Sequence, residues 1–91
     1  MSGFPLQQDF PNLQYLELAC ARLTSLPKEF GIMMSNVRVL NLNCNAISDL
    51  RPLYGIMRLK KLALAGNRLN SLKKVSRMLK YFPTLRELDL R

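Results

Sequence analysis

The stretch Leu59-Lys60-Lys61-Leu62-Ala63-Leu64-Ala65-Gly66-Asn67-Arg68-Leu69 sets leucines at the spacing L-x-x-L-x-L. An asparagine follows five residues past the second leucine, and another leucine two residues later. Val37-Arg38-Val39-Leu40-Asn41-Leu42 opens the same pattern and continues into Asn45 and Ile47. Leu13-Gln14-Tyr15-Leu16-Glu17-Leu18 and Leu85-Arg86-Glu87-Leu88-Asp89-Leu90 supply two more hexamers. The four begin at residues 13, 37, 59 and 85, which gives periods of 24, 22 and 26 residues. Phe10-Pro11-Asn12-Leu13 and Phe82-Pro83-Thr84-Leu85 even share a lead-in. A single hexamer carries little information, whereas four at a near-constant period mark a repeat architecture.

The full pattern, L-x-x-L-x-L-x-x-N-x-L, is that of the leucine-rich repeat. Its L-x-L core is a short strand with leucines facing inward and alternate residues facing out. The asparagine satisfies backbone groups where the chain turns out of the strand, which an apolar side chain cannot do. The fold expected is therefore an α/β solenoid: a leucine-rich repeat array with a parallel concave sheet and short helical or 3₁₀ convex segments. The units expected are a lead-in over 1–12, repeats over 13–36, 37–58 and 59–84, and the strand of a truncated fourth repeat over 85–91. Ala21 stands where the first repeat should carry its asparagine, so that turn is expected to be looser or otherwise satisfied.

Return segments differ between units. Leu72, Val75, Met78, Leu79 and Phe82 recur at helical spacing, with Ser71 as a possible cap and Pro83 beyond the end, so a helix is expected there. Pro27–Met34 and Pro52–Met57 are shorter and each holds proline and glycine, which points to single turns of helix or 3₁₀. The sequence stops at Arg91 inside the fourth strand with no polar cap, as a piece of a longer protein would.

Composition removes whole classes of function. Ninety-one residues allow one small domain, and with 48% hydrophobic residues it is not a disordered tail. No apolar run approaches the ~18–20 residues of a membrane span, and the first residues lack a signal-peptide pattern. Two cysteines and no histidine exclude a disulfide scaffold, the usual zinc sites and every histidine-based triad, and fit a reducing, cytoplasmic setting. Neither metal nor cofactor is expected. The six acids are scattered, no glycine-rich phosphate loop follows a strand, and neither cysteine has a base nearby in sequence, so no enzyme is expected.

By register, the outward strand positions form columns: Tyr15, Val39, Lys61 and Glu87, then Glu17, Asn41, Ala63 and Asp89. Next come Ala19, Asn43, Ala65 and Arg91, then Cys20, Cys44 and Gly66. Small side chains in the last columns either admit a partner closely or merely tolerate curvature. Candidate partner-binding residues are Tyr15, Glu17, Asn41, Asn43, Lys61, Ala63, Ala65, Glu87 and Asp89. Cys20 and Cys44 occupy equivalent positions and read as neighbouring free thiols.

The net charge of +8 is unevenly placed, because ten basic residues and no acid lie between Asp49 and Glu87. Arg58, Lys60, Lys73, Lys74, Arg77 and Lys80 form a candidate basic patch, part of it on the convex helix. It is either a solvated face or a site for acidic protein partners, with nucleic acid third because the aromatics do not interleave with the charges. Of the aromatics in this half, only Tyr54 and Tyr81 are expected to be exposed.

The array resembles the intracellular short-repeat class, and within it the strings Asn43-Cys44-Asn45-Ala46-Ile47-Ser48-Asp49-Leu50-Arg51-Pro52-Leu53 and Leu64-Ala65-Gly66-Asn67-Arg68-Leu69 are distinctive. That class is typified by the protein-phosphatase-1 regulatory subunit family. The strings resemble the repeat domain of the fungal spindle-pole-body scaffold of the septation initiation and mitotic exit networks, related to centriolin. The resemblance implies a non-catalytic scaffold of cell division at the cytoskeleton, gathering a small GTPase module and kinases. In that reading the repeats dock a spindle-pole or mitotic signalling protein on the concave face. The alternative is a nucleic-acid-associated adaptor using the basic convex helix, and a third reading is a plain structural spacer. Self-association through uncapped ends is a further expectation.

Overall fold

Residues 12–69 and 72–90 are described by the computed structural model, apart from the side chains of Leu72 and Lys74. Most of the expected lead-in, the Ser71 cap and Arg91 lie outside the described residues. Each L-x-L core forms a three-residue strand: β1 (Tyr15–Glu17), β2 (Val39–Asn41), β3 (Lys61–Ala63) and β4 (Glu87–Asp89). The four lie side by side in chain order, all parallel, which short strands achieve only with a crossover segment between successive pairs. Leu16, Leu40, Leu62 and Leu88 are register partners in one row, as the repeat spacing requires.

The leucine rows build the core. Leu40, Leu42, Leu62 and Leu64 are at most 1% exposed, and each fully buried leucine contributes about 1.5–3 kcal/mol. Leu16 and Leu18 at one end, and Leu88 and Leu90 at the other, are only half-buried against that core. Each terminal row leans on one neighbouring row among the described residues, so the last leucines are half-covered instead of open to water.

Crossovers differ as their sequences do. In the first, α1 (Phe30–Met33) is a single turn that buries Phe30 and Met33, followed by buried Met34. In the second, Asp49 Oδ1 accepts the Arg51 N–H at 3.0 Å and starts a 3₁₀ turn over Arg51–Gly55. Pro52 fits its first turn, where no N–H is needed, and Leu53 and Ile56 pack inward. A Cβ on Gly31 would sit 2.6 Å from the Gly55 nitrogen and 2.9 Å from the Pro52 carbonyl oxygen. The first two crossovers therefore touch backbone to backbone, and only glycine at position 31 permits it.

In the third crossover, α2 (Leu72–Met78) tightens into a 3₁₀ turn over Leu79–Tyr81. Val75, Met78 and Phe82 are buried as the helical spacing predicts, but Leu79 is 38% exposed. Phe82, seven residues past Val75, falls on the same face as Val75, whereas Leu79 opens the 3₁₀ turn at the margin of that face. Past Pro83, the Thr84 hydroxyl donates to the Leu59 carbonyl at 2.8 Å, which fixes the approach to β4 against that to β3.

Asparagines clasp the coils. Asn45 Nδ2 donates to the carbonyls of Leu42 in its own coil (2.9 Å) and Leu18 in the coil before (3.0 Å). Its Oδ1 accepts the N–H groups of Ala21 and Leu23, both at 3.0 Å. Asn67 repeats the arrangement one coil on, donating to Leu64 and Leu42 and accepting from Ile47. Each asparagine thus serves the turn of the preceding coil as well as its own. This is why Ala21 does not loosen the first turn: the partner comes from Asn45. Beside the clasp the chain leaves each of the first three strands through a left-handed residue, Cys20 (φ 55°), Cys44 (φ 60°) or Gly66 (φ 74°).

Candidate functional site

The strand register sets Tyr15, Val39, Lys61 and Glu87 in one outward column and Glu17, Asn41, Ala63 and Asp89 in the next. Both columns alternate with the buried leucines, so the inward packing of the leucines is what presents these side chains. Tyr15 is 71% exposed, which is unusual for so large an aromatic side chain. Lys61 Nζ lies 3.5 Å from Glu87 Oε2 across β3 and β4, an exposed pair contributing about 0–1 kcal/mol. A shallow recess of about 310 Å³ opens among Val39, Asn41, Lys61, Ala63, Glu87 and Asp89. Six of the expected contact positions or their column neighbours therefore share one depression, whereas Tyr15, Glu17, Asn43 and Ala65 lie outside its lining.

Two of the expected contact asparagines also have structural duties. Asn41 Oδ1 accepts the Asn43 N–H at 3.0 Å, and Asn43 Oδ1 accepts the Ala65 N–H at 2.8 Å. Asn43 thereby ties the exit of β2 to that of β3, and its amide nitrogen is what it has left to offer a partner. Nothing in the repeat pattern distinguishes such a bridge from a free surface asparagine, because both lie at outward positions.

Cys20 and Cys44 are free, exposed thiols one coil apart. Hydrogen bonding to Cys44 pushes the Cys20 thiol up from its ordinary pKa, with lesser contributions from burial and from the neighbouring charge. The equivalence of the two positions was readable from the period, and the left-handed backbone they share suits the glycine at the third equivalent position, Gly66. Among the described residues, no cluster of three or more histidine, cysteine or acidic side chains is placed to hold a metal ion. No helix of the described residues is long and apolar enough to cross a membrane.

Arg58, Lys60, Lys73, Arg77 and Lys80 are exposed, and Lys74 lies in α2 with its side chain outside the description. Arg58 makes a long 3.4 Å contact to Asn36 Oδ1, on the approach to β2. Arg77 and Lys80 instead line a larger groove of about 650 Å³, between the Asp49–Tyr54 segment and α2, that the sequence did not reveal. Tyr54 is half-buried, not exposed as its sequence setting implied, because its ring stacks on Tyr81 at 4.2 Å between centroids and 13° between planes. Burial raises the Tyr54 hydroxyl pKa, so it remains a neutral donor. Neighbouring apolar residues with tyrosine in two successive crossovers were the available signal, but the stack depends on how the crossovers pack.

The profile described as "Leucine rich repeat" matches residues 11–69. The septation initiation network scaffold protein cdc11 of Schizosaccharomyces pombe is 38% identical over 82 residues, covering 90% of this chain and 8% of that protein. The leucine-rich repeat-containing G-protein coupled receptor 5 of Rattus norvegicus is 33% identical over 73 residues, covering 80% of this chain and again 8% of the relative. The chain thus spans about 8% of the length of the curated relatives it matches. With a matching profile over more than half its length, four parallel strands at the repeat period and asparagines clasping successive turns, the chain belongs to the leucine-rich repeat family.

Proposed function

We propose that this chain is a non-catalytic protein-docking module of a septation-initiation scaffold. In this reading the repeats 13–36, 37–58 and 59–84, with the strand 85–91, form a segment of a solenoid. Its sheet is the concave side and seats a spindle-pole or mitotic signalling protein. The observation that carries the reading is the outer sheet face, where Val39, Asn41, Lys61, Ala63, Glu87 and Asp89 surround one recess. The 38% identity to the cdc11 scaffold over nine-tenths of the chain supports the choice of pathway over that of a receptor. Placement in the cytoplasm at the spindle pole body follows from the same resemblance. Central, desolvated positions dominate protein interfaces, so the recess carries the contacts of greatest weight, and Tyr15 offers an exposed aromatic on the edge strand beside it.

The test is the double variant Asn41→Arg with Ala63→Glu in the full-length protein. Asn41→Arg removes one hydrogen bond to Asn43, a loss of about 0.5–1.5 kcal/mol that leaves the fold intact. Affinity capture from dividing cells should lose its spindle-pole partners while the circular dichroism spectrum stays that of the wild type. Unchanged capture by the folded variant would overturn docking on this face.

A further inference from the structure

The groove beside α2 shares no lining residue with the outer sheet face and has a character of its own. Its floor is apolar: Leu50, Val75 and Met78 are all at most 7% exposed, yet they border it. At about 650 Å³ it lies within the roughly 300–1,000 Å³ of ordinary ligand sites. Its charged lining is asymmetric. Arg51 grips Asp49 through two contacts, Nε to Oδ1 at 2.9 Å and a terminal nitrogen to Oδ2 at 2.8 Å, so these two charges offset each other and stiffen one wall. On the other wall, Arg77 and Lys80 meet no carboxylate among the described residues. The surrounding stretch from Arg51 to Arg86 contains no acid, which makes the potential in front of the groove positive.

We infer that this groove is a second docking site, for an acidic segment of a partner protein that inserts an apolar side chain over Leu50, Val75 and Met78 and sets its carboxylates against Arg77 and Lys80. The aromatic pair argues for a peptide over a nucleic acid. Single-stranded nucleic acid binds largely by stacking bases on open aromatic faces. Here Tyr54 and Tyr81 stack on each other, and Lys80 Nζ sits 5.3 Å from the Tyr81 ring centroid, so the rings are already engaged. Their hydroxyl groups remain as donors suited to carboxylate oxygens.

The experiment pans the immobilised full chain against a displayed library of random peptides of about twelve residues, long enough to cross a groove of this volume. Enriched sequences are then synthesised, labelled and titrated by fluorescence anisotropy. Acidic residues flanking an apolar one are expected in the selected peptides. Their affinity should fall about tenfold or more in Arg77→Glu/Lys80→Glu, less in Arg77→Gln/Lys80→Gln, and stay within about twofold in Lys61→Glu on the outer sheet face. All these positions are exposed, and circular dichroism checks each fold. Selection of peptides without acids, an absence of enrichment, or affinity unchanged in the folded double variant would each overturn the site. Loss confined to Lys61→Glu would overturn it too and assign the peptide to the sheet face. A labelled uridine oligonucleotide serves as the second probe; tighter binding of it than of any selected peptide, lost in Arg77→Glu/Lys80→Glu, would overturn the site in favour of nucleic acid.

Discussion

Asn45 concentrates the physics of this molecule in one side chain. It is 7% exposed and the sole buried polar residue among the described residues, and its amide meets backbone groups of two coils at once. Replacing it leaves the N–H groups of Ala21 and Leu23 and the carbonyl of Leu18 without that partner, in a setting where each unsatisfied group costs about 1–3 kcal/mol. Asn45→Ala should therefore lower unfolding stability by about 3 kcal/mol or more in urea titration. Its signature is spatial: the amides of Ala21 and Leu23, in the preceding coil, should show the largest acceleration of hydrogen exchange. Equal acceleration throughout the chain, or a loss below about 1 kcal/mol, would contradict the backward clasp. Asn43→Ala is the control, since it breaks one contact, to the Ala65 N–H, and should cost about 1 kcal/mol.

Elements in this fold are short and set by their neighbours. Strands of three residues and a helix of four have no independent stability, and packing together with the bonds between coils holds them. Gly31→Ala tests that statement, because its new Cβ would press on the Gly55 backbone, which has no flexible end to yield. The expected loss is about 1–3 kcal/mol, read as a lowered melting temperature. A neutral result would mean the crossovers do not bear on each other. The strands, their register and the existence of a helix at α2 were legible in the sequence, because leucine spacing encodes both which residues go inward and which partner each meets. The role of Asn43 and the exposure of Leu79 were not. The first depends on a bond between strands at an outward position, and the second on where α2 ends, which the leucine spacing does not record. The groove was illegible for a related reason: Asp49, Tyr54, Arg77 and Tyr81 come from two crossovers whose relative placement no repeat pattern records.

At the scale of the whole molecule, two half-covered edges face a strongly positive body. β1 and β4 each pair on one side only among the described residues, and the leucine rows beneath them are half-buried. Such edges favour pairing with another copy, while a net charge of +8 opposes it. Salt decides between them, since the screening length falls from about 30 Å at 0.01 M to about 10 Å at 0.1 M. Sedimentation should find a monomer at low salt and a rising average mass as salt increases at fixed protein concentration. An average mass that falls with salt would show that copies are held by ion pairs and not by their edges.

The backward reach of the asparagines also gives the fold a direction in time. Emerging from a ribosome, the first turn has its backbone laid down by Leu23 but lacks its acceptor until Asn45, 22 residues later, has left the exit tunnel. The second turn waits in the same way for Asn67. The first two coils are each locked by their successor, so a stall in synthesis between them should leave the more recent turn the more open to chaperones and proteases.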